Sequence, residues 1–577
     1  MWRLLGLILA PCAWAQFQES VTVVASRLPA VPLRRVLVLE GSQLQNLPLR
    51  DWADILRLVG GTGLARRGVF GIQADASMAG APFEGVLVLV NGVPVNDPQT
   101  GHFHLDVPLP VEAIDRVEIL AGTASPVFGS AAVGGVVAIT TKTRATTQLR
   151  FGLGDHSLSS GAAQLSLGAH WSLFAARAES RGFRADSDFH LGRLALAGSQ
   201  SLGRWQLTTS LAAGGSQFGA WTFYSGRFPH QRERTGVGLF TLQAHRPLGP
   251  AHQLTVTAGA RQHRDVYLLD KTRPHWYRNR HRTRQFSLAA SLQGESRGFT
   301  WVVGVDGERQ LLSSSLLGLH DRNRAGLFAE AVTSSGGWTF HIQSRQDWYP
   351  QKARFTPGLS AGYLWASGVR LAVHATGAFR LPSFTELYYD SPASVGNSAL
   401  KPEKAWTSEV DLAFPWKGGV WQVGAFRRWA RDLVDWVRSD TGMFVAQNYA
   451  RAETTGAHLD VNWDQSWGSW RTSVAYLKSN IAVDPSRSAY ALTHPRWEAS
   501  LAGTLRFARG LLTPTLSYRK PQGKGGFVLA DLAGRWPLEG PVSLEISVFN
   551  LTNRQYQEVP GVKQPGRWWT LGLLFRP

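Results

Sequence analysis

The chain has 577 residues, a formal net charge of +19 and hydrophobic residues at 44% of positions. No run of about 20 apolar residues is present, which excludes a membrane-spanning helix. The basic charge is spread along the chain, much of it as arginine, rather than gathered into one helix or tail, so no nucleic-acid partner is expected.

That composition leaves two classes open. One is a large secreted β-protein; the other is a β-barrel whose strands alternate lipid-facing and lumen-facing side chains. The 60 Gly, 23 Trp and 27 Phe suit a barrel with aromatic girdles, although an array of β-sandwiches has a similar composition. Met1–Ala15 has one early arginine, an apolar centre and the ending Ala13-Trp14-Ala15, which predicts a secretory signal peptide cut after Ala15. The single cysteine, Cys12, lies inside it, so disulfides are expected to play no part in the mature chain.

Residues 16–32 begin polar and include the β-prone run Val21-Thr22-Val23-Val24-Ala25, followed by Pro29 and Pro32 as a flexible connection. Val36–Leu39 reads as a short strand. Leu49, Trp52, Ile55, Leu56 and Val59 share one helical face, and Gly60 and Gly61 stop the helix. Val86–Val90 reads as a buried strand, and Asn91-Gly92 as a tight turn into Val93-Pro94-Val95. A polar loop follows, Asn96-Asp97-Pro98-Gln99-Thr100-Gly101-His102-Phe103-His104-Leu105-Asp106. Its two histidines near two aspartates have metal-ligand chemistry, but no second ligand cluster lies near them in sequence, and no metal site is expected. Ile114–Lys142, IDRVEILAGTASPVFGSAAVGGVVAITTK, reads as strand, glycine-punctuated loop, strand.

From Thr146 onward the pattern is period two. Trp205, Leu207, Thr209 and Leu211 alternate with small polar residues, as do Leu254, Val256 and Ala258, and Phe286, Leu288, Ala290 and Leu292. Alternation alone fits a soluble sandwich or a membrane barrel. Short connections such as Gly418-Gly419 separate longer ones, and two of the longer ones are basic. These run from Phe218 to Arg234 and from Leu269 to Arg284, the latter LDKTRPHWYRNRHRTR. No nucleophile elbow, HExxH or P-loop is present, so no enzyme activity, catalytic residue or cofactor is expected.

Ile114–Lys142 closely resembles the end of the plug domain of TonB-dependent outer-membrane receptors, whose usual form is IDRVEVLRGPxSxLYGSxAxGGVINIxTK. The stretch LVLVNGVPVND also resembles that plug. Phe379–Tyr389, FRLPSFTELYY, with Gly396-Asn397 and Leu400-Lys401-Pro402-Glu403, resembles the FRAPSFxELY and GNPxLKPE signatures. Asn550-Leu551-Thr552-Asn553 with Tyr556 resembles NLxNxxY. The resemblance implies an all-β membrane protein: a transmembrane antiparallel barrel with a small α+β plug inside its lumen. It assigns residues 1–15 to the signal peptide, 16–32 to a TonB box and linker, 33–145 to the plug and 146–577 to the barrel. Roughly 430 barrel residues at about 20 per strand and connection give about 22 strands, the size named for plugged outer-membrane transporters.

The resemblance further implies TonB-dependent uptake of a scarce, bulky metal chelate across the bacterial outer membrane, with cobalamin or a related corrinoid ahead of a ferric siderophore. The alternative is a passive barrel or surface-binding protein. Val21, Thr22, Val23, Val24 and Ala25 would form the TonB box, added as a strand to a periplasmic energising protein. Asn96, Asp97, His102, Phe103 and His104 at the plug apex, with His275, Trp276, Tyr277 and Arg278 in the basic loop, would contact ligand. Outer-membrane lipid and lipopolysaccharide are expected partners of a monomer, the basic loop pairing with the latter. One departure stands out. Two arginines usual in the plug are replaced by Ala79 and Ala121. An unpaired buried charge costs several kcal/mol, so the matching wall glutamates are expected to be missing too.

Overall fold

A computed structural model describes residues 27–28 and 33–577, apart from 225, 297, 351, 450, 482–486, 491–493 and 523–524. The expected leader Met1–Ala15 and the expected TonB box Val21–Ala25 lie outside the described residues.

The first domain is built on a five-stranded sheet. Its order is Val36–Glu40, Ile114–Leu120, Gly135–Thr141, Val86–Val90, Val93–Pro94, and only the third and fourth strands run parallel. Both faces are covered. Val86, Val88 and Val90 pack with Ile55 and Leu56 on one side, while Leu87 and Leu89 pack with Val127 and Phe128 on the other. Double burial explains why the central strand is apolar at every position rather than at alternate ones.

The expected helix is a tight i→i+3 turn, Trp52–Leu58, capped by Asp51, whose carboxylate accepts from Ala53 N at 2.7 Å. Gly60 ends it against the outer wall: its N–H donates to Ser473 Oγ at 2.6 Å, and a Cβ there would meet the same oxygen at 2.8 Å. Asn91 and Gly92 both have positive φ, 47° and 76°, as a two-residue hairpin requires.

Around this domain, 22 antiparallel strands close into a barrel. The last strand, Trp568–Phe575, pairs with the first, Gln148–Gly154, in the register Leu571↔Leu153. The apolar side of the alternation points outward: Leu288 is 58% exposed and Val305 54%. Two rings of exposed aromatics bound that belt. Phe286, Trp348, Phe355 and Trp406 belong to one, and Phe299, Trp338, Trp416 and Trp536 to the other. Trp338 and Trp348 share one strand. Ten residues at about 3.3 Å, tilted by about 40°, give about 25 Å of belt height, which matches a hydrocarbon layer.

Connections at one end are tight turns, such as Lys417-Gly418 between Glu403–Trp416 and Gly419–Arg431. Those at the other end include the long segments 381–402, 432–451 and 550–567. The expected loop Leu269–Arg284 is only half loop. The strand Arg278–Ser296 begins at Arg278, because its alternation of arginines with Asn279, His281 and Thr283 already has the period of a strand.

Candidate functional site

The loop end of the barrel holds the apex of the inner domain. His102 stacks on Phe83, with ring centroids 4.6 Å apart, and Tyr490 meets both rings edge-on at 6.0 and 5.3 Å. His102 Nδ1 lies 2.8 Å from Asp75 Oδ1, and Arg67 Nη1 donates to Asp75 Oδ2 at 2.5 Å. Burial alone would raise the pKa of Asp75. Arg67 and His102 outweigh it and hold the carboxylate well below its usual range. Burial lowers the pKa of His102 despite the pull of Asp75.

The Tyr224 hydroxyl, 2.9 Å from both Gln73 Oε1 and Glu233 Oε2, continues this surface toward Tyr267, whose ring meets Tyr224 edge-on at 5.2 Å. Trp276 is exposed at the rim, packed edge-on against Phe228 and under Arg273 at 4.3 Å. Chemically this is a cup of aromatic rings and hydroxyls over a neutralised Arg–Asp pair. It suits a large, flat, polar molecule without strong net charge.

The sequence-derived residues divide into two groups. His102 is at the cup, and His275, Trp276 and Tyr277 are at the rim above it. Arg278 is exposed at the first position of its strand and shares a side of that strand with Arg280. Asp97, Phe103 and His104, by contrast, are buried and belong to the fit between plug and wall. Asp97 pairs with Arg261 at 2.6 Å and accepts from Thr283 at 3.0 Å, while Phe103 packs on His263 at 4.4 Å. Asn96 fastens the loop itself, accepting from Val88 N and donating to Val86 O, both at 2.7 Å; its Nδ2 is 2.9 Å from His104 Nδ1. The two histidines therefore serve different surfaces. Among the described residues no three His, Cys, Asp or Glu side chains gather as a metal site.

The motif FRLPSFTELYY explains its own spacing. Arg380 is buried and forks onto Glu386 at 2.8 and 2.9 Å while reaching Glu403 at 2.5 Å. Ser383 and Glu386 form a capping box for the short helix Phe384–Tyr388. That helix docks on the apex loop: Phe384 N donates to Pro98 O and Thr385 N to Gln99 O, both at 2.9 Å. The motif thus ties an outer loop to the plug apex.

The expectation about Ala79 and Ala121 is corrected at Ala121. A wall glutamate, Glu409, faces the adjacent Gly122, and it is paired with Arg34 at 3.2 Å; Arg34 also donates to Thr123 O. Arg35 pairs with Asp460 at 2.5 Å and donates to Ser473 Oγ at 3.1 Å. Beside Gly80 the wall offers Thr454 and Arg428 instead of a carboxylate. A buried carboxylate needs a cation nearby in space, not at a fixed place in sequence. The visible signal was the Arg34-Arg35 pair directly before the first apolar strand.

A cavity of about 300 Å³ lies between plug and wall, reaching from His102 and Phe103 to Gln45 and Asn46 near the turn end. Arg150, Arg193, Glu112 and Arg535 are among its lining residues.

Comparison with known proteins settles the family. Residues 33–136 match the TonB-dependent Receptor Plug Domain, and residues 134–551 match the TonB dependent receptor-like beta-barrel. The chain belongs to the TonB-dependent receptors. The receptor is therefore an outer-membrane protein of a family of receptors and transporters. It is 23% identical to the vitamin B12 transporter BtuB of Vibrio vulnificus, over 95% of this chain and 94% of that protein. Its fold is similar to that of the siderophore receptor PirA of Pseudomonas aeruginosa, with a TM-score of 0.72, 16% identity and coverage of 94% and 98% of the two chains. The copper transporter OprC gives a TM-score of 0.78 at 14% identity, with coverage of 94% and 99%.

Proposed function

We propose that this receptor binds a scarce, bulky metal chelate at the aromatic cup above His102 and imports it with energy delivered through Val21–Ala25. The first candidate ligand is cobalamin or a related corrinoid. The observation that carries the reading is the cup itself: stacked rings and hydroxyls over the Arg67–Asp75 pair, directly above the plug–wall cavity. A corrinoid presents a broad macrocycle edged with amides, which matches ring surfaces and hydroxyl partners. The full-length similarity to a vitamin B12 transporter supports the same choice. Ligand at the cup would press on the apex loop and, through Pro98 and Gln99, on the helix Phe384–Tyr388. A periplasmic energising protein would then take Val21–Ala25 as an added strand.

The experiment is binding of cyanocobalamin and of a panel of ferric siderophores to the detergent-solubilised receptor, followed by uptake in cells. Corrinoid binding that weakens roughly tenfold in His102→Ala, as loss of a stacked aromatic contact does, supports the reading. Siderophore binding alone moves the ligand to the iron chelates. Deleting Gln16–Ser26 is expected to abolish uptake and leave binding intact; unchanged uptake would favour the passive alternative.

A further inference from the structure

The longest strand, Arg278–Ser296, has two unlike faces above the membrane belt. Asn279, His281, Thr283 and Gln285 are buried toward the lumen, and Thr283 holds the plug through Asp97. Arg278, Arg280, Arg282 and Arg284 are all exposed on the outside. Phe286, 49% exposed, follows them on the same face and marks the upper edge of the lipid belt. The arginines therefore rise from the belt edge at intervals of about 7 Å, the two-residue step of a strand.

Neighbouring strands enlarge the patch. Arg264 lies directly across from Arg282, and Arg309 directly across from Phe286. Like charges facing each other across a ladder destabilise it. Yet among the described residues Arg264, Arg278, Arg280, Arg282 and Arg284 make no ion pair. The patch's polar partner is the Gln262 amide, within 3.4 Å of Arg284 and 3.3 Å of Arg264. Asp321, 3.9 Å from Arg309, is the carboxylate at its border. On other faces Arg427 is neutralised by Glu453 and Arg177 by Glu179, both at 2.7 Å.

We propose that this face is a binding site for the phosphates of lipopolysaccharide, its acyl chains lying on the belt below and its phosphorylated headgroup held by the arginine column. Guanidinium groups take phosphate oxygens in pairs, so a row of them on a rigid strand forms a site and not a diffuse charge. The apolar surface beneath it, including Leu288 and Val305, supplies the lipid contact. The anion also relieves the Arg264–Arg282 repulsion. The site faces away from the aromatic cup and is independent of which ligand the receptor imports.

The test is binding of bisphosphorylated lipid A to the purified full-length receptor in detergent, read by native mass spectrometry and by a titration. In the triple variant Arg280→Gln, Arg282→Gln, Arg284→Gln the affinity should fall by at least about tenfold, because three charge-assisted contacts are lost. Arg427→Gln, on another face, should leave it unchanged. Migration of the unheated protein in detergent gels reports whether each variant keeps its barrel. Should the triple variant fail to fold, the wild-type receptor still decides: lipid A stripped of both phosphates should bind at least about tenfold more weakly, and added salt should weaken the intact lipid. Equal binding with and without phosphates, or unchanged binding by a folded triple variant, overturns the proposal. Competition by phosphatidylglycerol or inorganic phosphate as effective as that of lipid A also overturns it.

Discussion

On one side of the lumen the wall grips the plug through Arg34–Glu409 and Arg35–Asp460, four side chains each less than a tenth exposed. Across the barrel, Arg150–Glu112 at 2.9 Å and Arg193–Asp106 at 3.1 Å join the same two domains beside the 300 Å³ cavity, with Arg150 26% exposed. The bond lengths are alike and the surroundings differ. In the dry contact each charge depends on its partner, whereas beside the cavity solvent reaches Arg150, though not its buried partner Glu112. The plug is therefore held by drier ion pairs along the wall of Glu409 and Asp460 than beside the cavity at Arg150.

The sharpest way to break this contrast is to remove one charge from the dry side. Asp460→Ala or Arg35→Ala should weaken plug seating by about 3–5 kcal/mol, the cost of stranding a buried charge. Hydrogen exchange of the strand Val36–Glu40 and leakage of large antibiotics into cells would both report it. The double variant Arg35→Met, Asp460→Leu should recover most of the loss. A single variant that behaves like wild type would dissolve the distinction between the two sides.

His104 gives a second, pH-dependent handle. Burial brings its pKa down from 6.5 to about 4. The unfolded state thus binds more protons than the folded state between these values, so stability is full above pH 6.5 and is lost as pH falls toward 4. The loss is on the order of 3 kcal/mol at about 1.36 kcal/mol per pH unit across that window. Hydrogen exchange of the apex loop should accelerate over that window, and His104→Gln should flatten the response. Equal acceleration in both proteins would assign it to another group.

The smallest effect belongs to the wet side. Arg150→Ala should cost less than Asp460→Ala, about 1–2 kcal/mol, because Arg150 is 26% exposed while its partner Glu112 is buried. Thermal unfolding of the plug in detergent is the measurement, and a loss as large as that of Asp460→Ala would show that the two sides are equivalent.

Much of this was legible in order along the chain. Period-two alternation with Trp and Phe at the strand ends carries the barrel, because every strand faces lipid on one side and lumen on the other. The apolar run Val86–Val90 with Asn91-Gly92 carries the centre of the plug, because both strand burial and turn type depend on adjacent residues. The site was less legible. Asp97 and His104 had the composition of ligand contacts, but the wall residues Arg261 and Thr283, which take up Asp97, lie more than a hundred residues away.

What the sequence by itself determined is therefore whatever depends on near neighbours: the strand period, the tight turns and the family signatures. Tertiary structure alone decided which charges meet. Arg34 met the wall glutamate Glu409, Arg278–Arg284 turned from loop to outward column, and His102 and His104 parted to different surfaces. Barrel closure brings residues hundreds of positions apart within a few ångströms, and a buried charge answers to distance in space rather than separation along the chain.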